Sequence, residues 1–254
     1  MWNIMNIPIS DAFQKKVNAI RKILHGAHVY SIYLQRWGRA APNPVKTINC
    51  DPNRISHFPV PRLYHRHELH HFGSWVICDD WHNWPVSGER WMIPEAETTK
   101  KLRIDRWGFY SSLKSSLQEG IPYQETEYFQ YMLDHSDRDR EWFLDDYRRT
   151  KRIYESIQNQ GYKSQADLSS LPIRPGYDEI RVSIDAHGQI DFFGGGRHRL
   201  VIAKLLDLEE VPVRVVVRHP QWQELRKEIA SGAPTTVLSS STVSTDHPDL
   251  QRLL

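Results

Sequence analysis

The sequence has few cysteines, no long apolar run and almost no net charge. Its 254 residues contain two cysteines, Cys50 and Cys78, which could pair once but are too few for a disulfide framework, and we expect reduced thiols. No stretch approaches the roughly 18 apolar residues of a membrane span, and the opening residues lack the basic and apolar regions of a secretory leader. We therefore expect a cytoplasmic protein with no membrane partner.

The near balance of positive and negative residues limits what can be predicted about binding partners. Lys and Arg number 33 against 31 Asp and Glu, which gives a formal net charge of +2, and so net charge alone predicts neither a nucleic-acid surface nor an anionic-membrane surface. Hydrophobic residues make up 39% of the chain, which is enough for a buried core. The length fits one large domain or two small ones.

The first part of the chain is predicted to be mostly helical with a small β element. Apolar residues at helical spacing predict helices after Ser10, after Trp107 and after Pro122, and a short strand is predicted at 75–78. The clearest helix carries five residues at strict 4-3 spacing and ends at Gly161: Phe143, Tyr147, Thr150, Tyr154 and Ile157. We interpret the charged residues on its other face, including Asp145, Asp146, Arg148, Arg149, Lys151 and Arg152, as a solvent-exposed surface.

The second part alternates between strand and helix patterns. Residues 180–193 predict a β-hairpin, Val201 and Leu205 a buried helix, and residues 211–217 a strand in which Pro212 marks the start or an edge. A helix is predicted after Pro220, and the Ser- and Thr-rich residues 232–254 are expected to be a disordered tail. We expect an α+β protein with an N-terminal portion of unknown role at 1–149 and a second domain at 150–231.

Three glycines, Gly194, Gly195 and Gly196, stand where the hairpin leads into a helix, and Arg197, His198 and Arg199 follow them. A helix start presents unpaired N–H groups, glycines allow a phosphate to approach the backbone, and guanidinium groups complement phosphate oxygens. The motif therefore predicts an anion site. A tight turn with a glycine at positive φ and solvated arginines is the alternative.

Residues 150–218 together resemble the ParB/sulfiredoxin superfamily. The resemblance is carried, in order, by segments of matching type and spacing: Tyr154–Ile157, Gly161, Gly196–Arg199, Leu206–Leu208 and Val211–Val213. It implies a mixed sheet with helices, and a loop and helix start that bind the phosphates of CTP, ATP or ADP.

Differences between this sequence and the motifs of the superfamily limit the functions that the resemblance implies. Arg197 stands where sulfiredoxin has its reactive cysteine, which argues against sulfinic-acid reduction. The serine-kinase branch has an Asp-Gly-His-His-Arg motif, of which Gly196, His198 and Arg199 are retained. The implied function is a nucleotide-dependent phosphotransferase acting on a small hydroxyl-bearing acceptor. The alternative is a non-catalytic nucleotide-sensing or nucleic-acid-associated module, which is less favoured.

The resemblance also assigns roles to residues. The glycines and Arg197–Arg199 would hold the nucleotide together with Mg²⁺, with Lys163 and Gln165 beside it. His198 would orient oxygens or move a proton. Phosphoryl transfer needs a carboxylate as well, for which Glu155 is the first candidate and Asp185 and Asp191 are alternatives.

A histidine-rich stretch spells the zinc-protease pattern HExxH at residues 67–71. That pattern needs a helix that places both histidines on one face. Nearby Pro59, Pro61 and Gly73 and the lack of an apolar stripe favour an exposed loop instead, and we predict no metal site. A metal site with looser spacing, formed by the histidines of this stretch together with Cys78, is the other alternative.

Overall fold

The structure is a computed structural model that describes residues 11–44, 46–58, 75–76, 103–168, 179–232, 244 and 246–253. The HExxH pattern at 67–71 and Cys78 lie outside the described residues. None of the helices in the described ranges has the length and apolar character required to cross a membrane.

Helices account for most of the described chain. They are α1 (Asp11–Trp37), α2 (Gly108–Gln118), α3 (Glu127–His135), α4 (Arg140–Gln160), the four-residue α5 (Gln165–Leu168), α6 (Arg197–Leu205) and α7 (Pro220–Ala230). The start of α4 follows from its sequence, because the Asp139 carboxylate accepts a 2.8 Å hydrogen bond from the N–H of Trp142 and caps the helix. Its end follows from Gly161, which has a φ of +76°.

A five-stranded mixed sheet lies at the centre of the described fold. Its strands are β1 (Ile48–Cys50), β2 (Trp75–Val76), β3 (Ile180–Ile184), β4 (Ile190–Phe192) and β5 (Val211–Arg218). The order is β1-β5-β3-β4, and β2 also pairs with β5. β5 is antiparallel to β1 and parallel to β2 and β3, and the hairpin β3–β4 is antiparallel. The predicted α+β class is confirmed. Pro212 lies near the start of β5, as the sequence predicts.

The predicted division at residues 149/150 is not visible in the structure. The boundary falls inside α4, and β1 from the first part pairs with β5 from the second, with Ile48 opposite Val213. One cluster of buried side chains extends from Ala40 to Leu253. The two parts therefore share one sheet and one core.

The end of the chain differs from the predicted disordered tail. Residues 246–253, hereafter the C-terminal segment, form consecutive turns, and Leu250 is completely buried. Asp249 is buried against Arg218 and Arg226. Low apolar content suggested disorder, but Asp249, Leu250 and Leu253 of this segment are buried against the body. Residues 233–243 lie outside the described ranges.

Candidate functional site

The turn between β4 and α6 explains the run of glycines. Gly194 and Gly196 have φ values of +91° and +83°, which side chains other than glycine rarely adopt. A Cβ on Gly196 would lie 2.8 Å from the Cα of Ile180, and one on Gly195 would overlap the guanidinium of Arg181. The turn itself therefore requires glycine at Gly194 and Gly196, as the tight-turn alternative predicts, whether or not a ligand binds.

The same turn leaves the start of α6 uncapped by its N-cap residue. Gly196 occupies that position and provides no side-chain hydrogen bond. The first N–H groups of a helix have no partner within the helix and carry a partial positive charge. The junction consequently keeps the electrostatic character of an anion site.

Two of the residues after the glycines meet one carboxylate. His198 Nε2 lies 3.0 Å from Asp146 Oδ2, and Arg197 Nη2 lies 3.4 Å from the same oxygen. The Phe109 ring packs edge-on against the His198 imidazole at 5.2 Å, and the Arg197 guanidinium lies over the same ring, also at 5.2 Å. Asp146, on α4, was interpreted from the sequence as solvent-exposed, but its side chain is only 14% exposed, so that interpretation was wrong.

The Asp146 carboxyl is stabilised in its charged form. Burial acts against the charge, but the hydrogen bond and charge of His198 and the two neighbouring guanidinium groups outweigh it, and they hold the pKa of Asp146 below its usual range. The carboxylate therefore remains ionised at neutral pH. The carboxylate faces Nε2 of the imidazole and orients the ring.

The third residue, Arg199, faces a different carboxylate. Its Nη1 donates to Glu179 Oε2 at 2.8 Å and to the Tyr162 hydroxyl at 3.3 Å. Glu179 is buried and also accepts a hydrogen bond from the backbone N–H of Gln165. Burial raises the pKa of Glu179, although these hydrogen bonds and the Arg199 charge act in the opposite direction. The hydrogen bonds to Glu179 and Tyr162 hold the Arg199 guanidinium in a fixed position.

A basic cleft of about 430 Å³ lies between the second half of α4, the turn after it and α6. Four cationic side chains line it, with no carboxylate among the lining residues; the polar lining is Arg149, Arg152, Ser156, Lys163, Gln165 and Arg199. Asp146 and His198 are not among the lining residues; the link between them and the cleft is Arg149, whose Nη1 lies 3.9 Å from Asp146 Oδ1. The cleft concentrates positive potential, which favours a polyanionic ligand.

The cleft brings together some of the residues predicted from the sequence. Lys163, Gln165 and Arg199 line it, whereas the three glycines, Arg197 and His198 are not among its lining residues. Glu155 is exposed and is not among the lining residues. In the structure the carboxylate beside His198 is Asp146.

The alternative carboxylates lie at the β3–β4 hairpin. Asp185 Oδ1 accepts 2.9 Å hydrogen bonds from the N–H groups of His187 and Gln189 and thereby shapes the turn. Asp191 is buried on β4. Neither lines the cleft.

Sequence reasoning missed Asp146, Tyr162 and four further residues of the site. Arg149, Arg152 and Ser156 form a stripe at helical spacing on α4, and this spacing was a signal that could have been used. Glu179 gave no such signal, because it is a single acidic residue before a strand.

The described ranges contain no group of three or more His, Cys, Asp or Glu side chains that could hold a metal ion.

Comparisons with protein-family models, with curated proteins and with solved structures found no match to this chain.

Proposed function

We propose that the protein binds a nucleotide, or a small molecule with a similar polyphosphate group, in the basic cleft. The observation that carries the proposal is the lining itself: four cations, no carboxylate and a volume of about 430 Å³. That volume lies within the range of roughly 300–1,000 Å³ that is usual for small-molecule sites. The resemblance to the ParB/sulfiredoxin superfamily, whose members bind nucleotide phosphates, supports the same ligand class.

Arg199 is the anchor of the proposed phosphate site. Glu179 and Tyr162 fix its guanidinium, so little side-chain entropy is lost when it binds a phosphate. Arg149 and Arg152, one turn apart on α4, supply further donors, and the uncapped start of α6 adds positive potential nearby. The cleft lining offers a Mg²⁺ ion no carboxylate, so an ion that arrived with the nucleotide would be held by the phosphates of the ligand and by water.

Phosphoryl transfer is the reaction that the Asp146–His198 pair favours. With Nε2 bonded to Asp146, Nδ1 of His198 can take the proton of an acceptor hydroxyl. The hydroxyl oxygen then bonds to the terminal phosphorus, and the bond from that phosphorus to the leaving nucleotide oxygen breaks. The arginines neutralise the charge that develops on the leaving nucleotide. The acceptor is a small hydroxyl-bearing molecule.

Calorimetric titration of ATP, ADP, CTP and inorganic triphosphate tests the binding proposal. We expect Arg152→Gln to weaken the affinity for the best of these ligands by roughly 10- to 100-fold, because one charge-assisted hydrogen bond contributes about 1.5–3 kcal/mol. Arg148→Gln is the matched control, since Arg148 is exposed on the same helix and pairs with Asp145 and Glu141 outside the cleft. Equal losses in both variants, or no binding of any of the four ligands, contradict the proposal.

A second experiment separates catalysis from binding. The protein is incubated with a nucleotide labelled at its terminal phosphate and a mixture of hydroxyl-bearing metabolites. We expect labelled product, and we expect Asp146→Asn and His198→Gln to lower the transfer rate at least tenfold while each variant still binds nucleotide. Binding without consumption of nucleotide would reject the phosphotransferase and leave the non-catalytic nucleotide-sensing module.

A further inference from the structure

We propose that a second cavity, the serine cavity, binds a polyhydroxylated small molecule, such as a sugar, that is neutral or carries an amine. The cavity has a volume of about 390 Å³ and is lined by one face of α2, the turn after it and the start of α3. Its lining residues include Arg106, Ser111, Ser112, Ser115, Glu125 and Glu127. It shares no lining residue with the basic cleft, so this inference does not rest on the proposed function.

The first observation is the row of hydroxyl groups on α2. Ser111 and Ser115 are one turn apart, Ser112 lies beside them, and all three line the cavity. Residues three and four positions apart share one face of a helix. A serine hydroxyl donates one hydrogen bond and accepts others, and so does each hydroxyl of a sugar. This wall of the cavity therefore matches a ligand that carries several neighbouring hydroxyls.

The start of α3 adds backbone donors and side-chain acceptors. Glu127 and Tyr128 are the first two residues of this helix and line the cavity, and the first N–H groups of a helix have no acceptor within the helix. The Thr126 side chain caps the N–H of Phe129 rather than either of these. The carboxylates of Glu125 and Glu127 accept hydrogen bonds from hydroxyl or amine groups. The cavity thus offers donors and acceptors together.

The charge of the lining selects among hydroxylated ligands. Among the described residues that line the cavity, one is a cation, Arg106, and two are carboxylates, Glu125 and Glu127, which gives one positive against two negative charges and a formal charge of −1. A negatively charged lining disfavours phosphates and carboxylates. Nucleotides are therefore expected in the basic cleft, and neutral or amine-bearing polyols in the serine cavity.

The shape of the cavity is fixed before a ligand arrives. The N–H of Ile121 donates to the Ser115 carbonyl at 3.1 Å, and the Ser116 hydroxyl donates to the Ile121 carbonyl at 2.7 Å. These bonds hold the turn after α2, and with it the exposed Ile121 side chain, at the cavity. Ile121 and the half-buried Tyr128 supply apolar surface. Apolar area with a few placed polar groups is usual for small-molecule sites, as is a volume of roughly 300–1,000 Å³.

Calorimetric titration of the full-length protein with six sugars and polyols tests the proposal. The neutral probes are glucose, maltose, sorbitol and myo-inositol, and glucosamine and glucuronate are the cationic and anionic counterparts of glucose. We expect at least one neutral probe or glucosamine to bind with a dissociation constant of about 1 mM or lower. We expect glucuronate to bind at least about tenfold more weakly than glucose or glucosamine, because the lining repels its carboxylate.

Two matched variants locate the site. Ser111→Trp and Lys114→Trp both change exposed positions on α2, but only Ser111 lines the cavity. We expect Ser111→Trp to weaken binding of the best probe at least about tenfold, because the indole occupies the space of the ligand, and Lys114→Trp to leave it unchanged. If Ser111→Trp does not fold by circular dichroism, Ser112→Ala replaces it and should weaken binding by about 3- to 10-fold through the loss of one hydrogen bond.

Three results overturn the proposal. The first is that none of the four neutral probes and glucosamine binds at about 10 mM, a concentration well above the expected dissociation constant. The second is that glucuronate binds as tightly as glucose or glucosamine. The third is that the variant in the lining and Lys114→Trp change the affinity equally.

Discussion

Acidification should loosen the C-terminal segment through His247. Both ring nitrogens of this histidine are engaged, because Nδ1 accepts from the N–H of Asp249 at 3.1 Å and Nε2 donates to the Gly188 carbonyl at 2.9 Å. Protonation of Nδ1 would break the first of these hydrogen bonds. Burial lowers the pKa of His247 from 6.5 to about 4. Protonation of the His247 imidazole is therefore less favourable in the folded protein than in the unfolded chain.

The size of the effect follows from this difference in pKa. Between pH 6.5 and pH 4 the unfolded chain binds a proton at this site and the folded chain does not, so the free energy of unfolding falls as the pH is lowered. At about 1.36 kcal/mol per pH unit, the loss is about 3 kcal/mol at pH 4. The pKa of Asp249 is also depressed, by Arg218 and Arg226 against the effect of burial. Its contribution is complete above the ordinary Asp range near 3.9 and is lost only at lower pH, outside the His247 window.

Urea unfolding at pH 7 and pH 4.5 measures this contribution. Gln keeps one donor and one acceptor but does not titrate, so we expect His247→Gln to lose about 2–3 kcal/mol less than the wild type between the two pH values. His135→Gln, which changes an exposed histidine on α3, should behave like the wild type. Parallel losses in the wild type and His247→Gln would refute the argument.

Two further variants test local features. Gly196→Ala should lower the free energy of unfolding by more than Gly232→Ala. Both glycines have a φ near +80°, so each substitution costs the roughly 1–2 kcal/mol of a left-handed residue, but only Gly196 has a neighbour, Ile180, within 4 Å. Equal losses of stability in the two variants would show that the contact with Ile180 is unimportant. In a Cys78→Ser background, Cys50 should react with a thiol reagent only as fast as the protein unfolds, because it is buried and burial raises its pKa to about 12. Rapid reaction of the native protein at pH 8 would contradict this.

The sequence predicted those parts of the fold in which a single element carries its own pattern. The 4-3 spacing in α4 reflects one buried face, and a buried face is visible without knowledge of the partner. The apolar alternation in β3 and β5 was sufficient to predict strands, although both strands are buried along nearly their whole length. β1 escaped prediction because it has three residues between prolines and is defined by its pairing with β5. Such a short strand has no periodicity of its own.

The candidate site was predictable in part for the same reason. The glycine run and Arg197–Arg199 are contiguous, so their chemistry could be recognised as a motif. Asp146 and Glu179 act on those residues from distant positions in the chain, and only the packing of α4 and β3 against α6 brings them there. Glu155 was chosen on the same helix as Asp146, but α4 turns it towards solvent.

The central position of β5 has a consequence for synthesis of the chain. β5 pairs with β1, β2 and β3, yet it is the last strand in the described part of the chain. Until residue 218 has left the ribosome, the three earlier strands lack their common neighbour, and contacts of such large sequence separation form slowly. Nascent chains that stall before this point expose apolar strand edges, which makes them clients for chaperones and prone to aggregation.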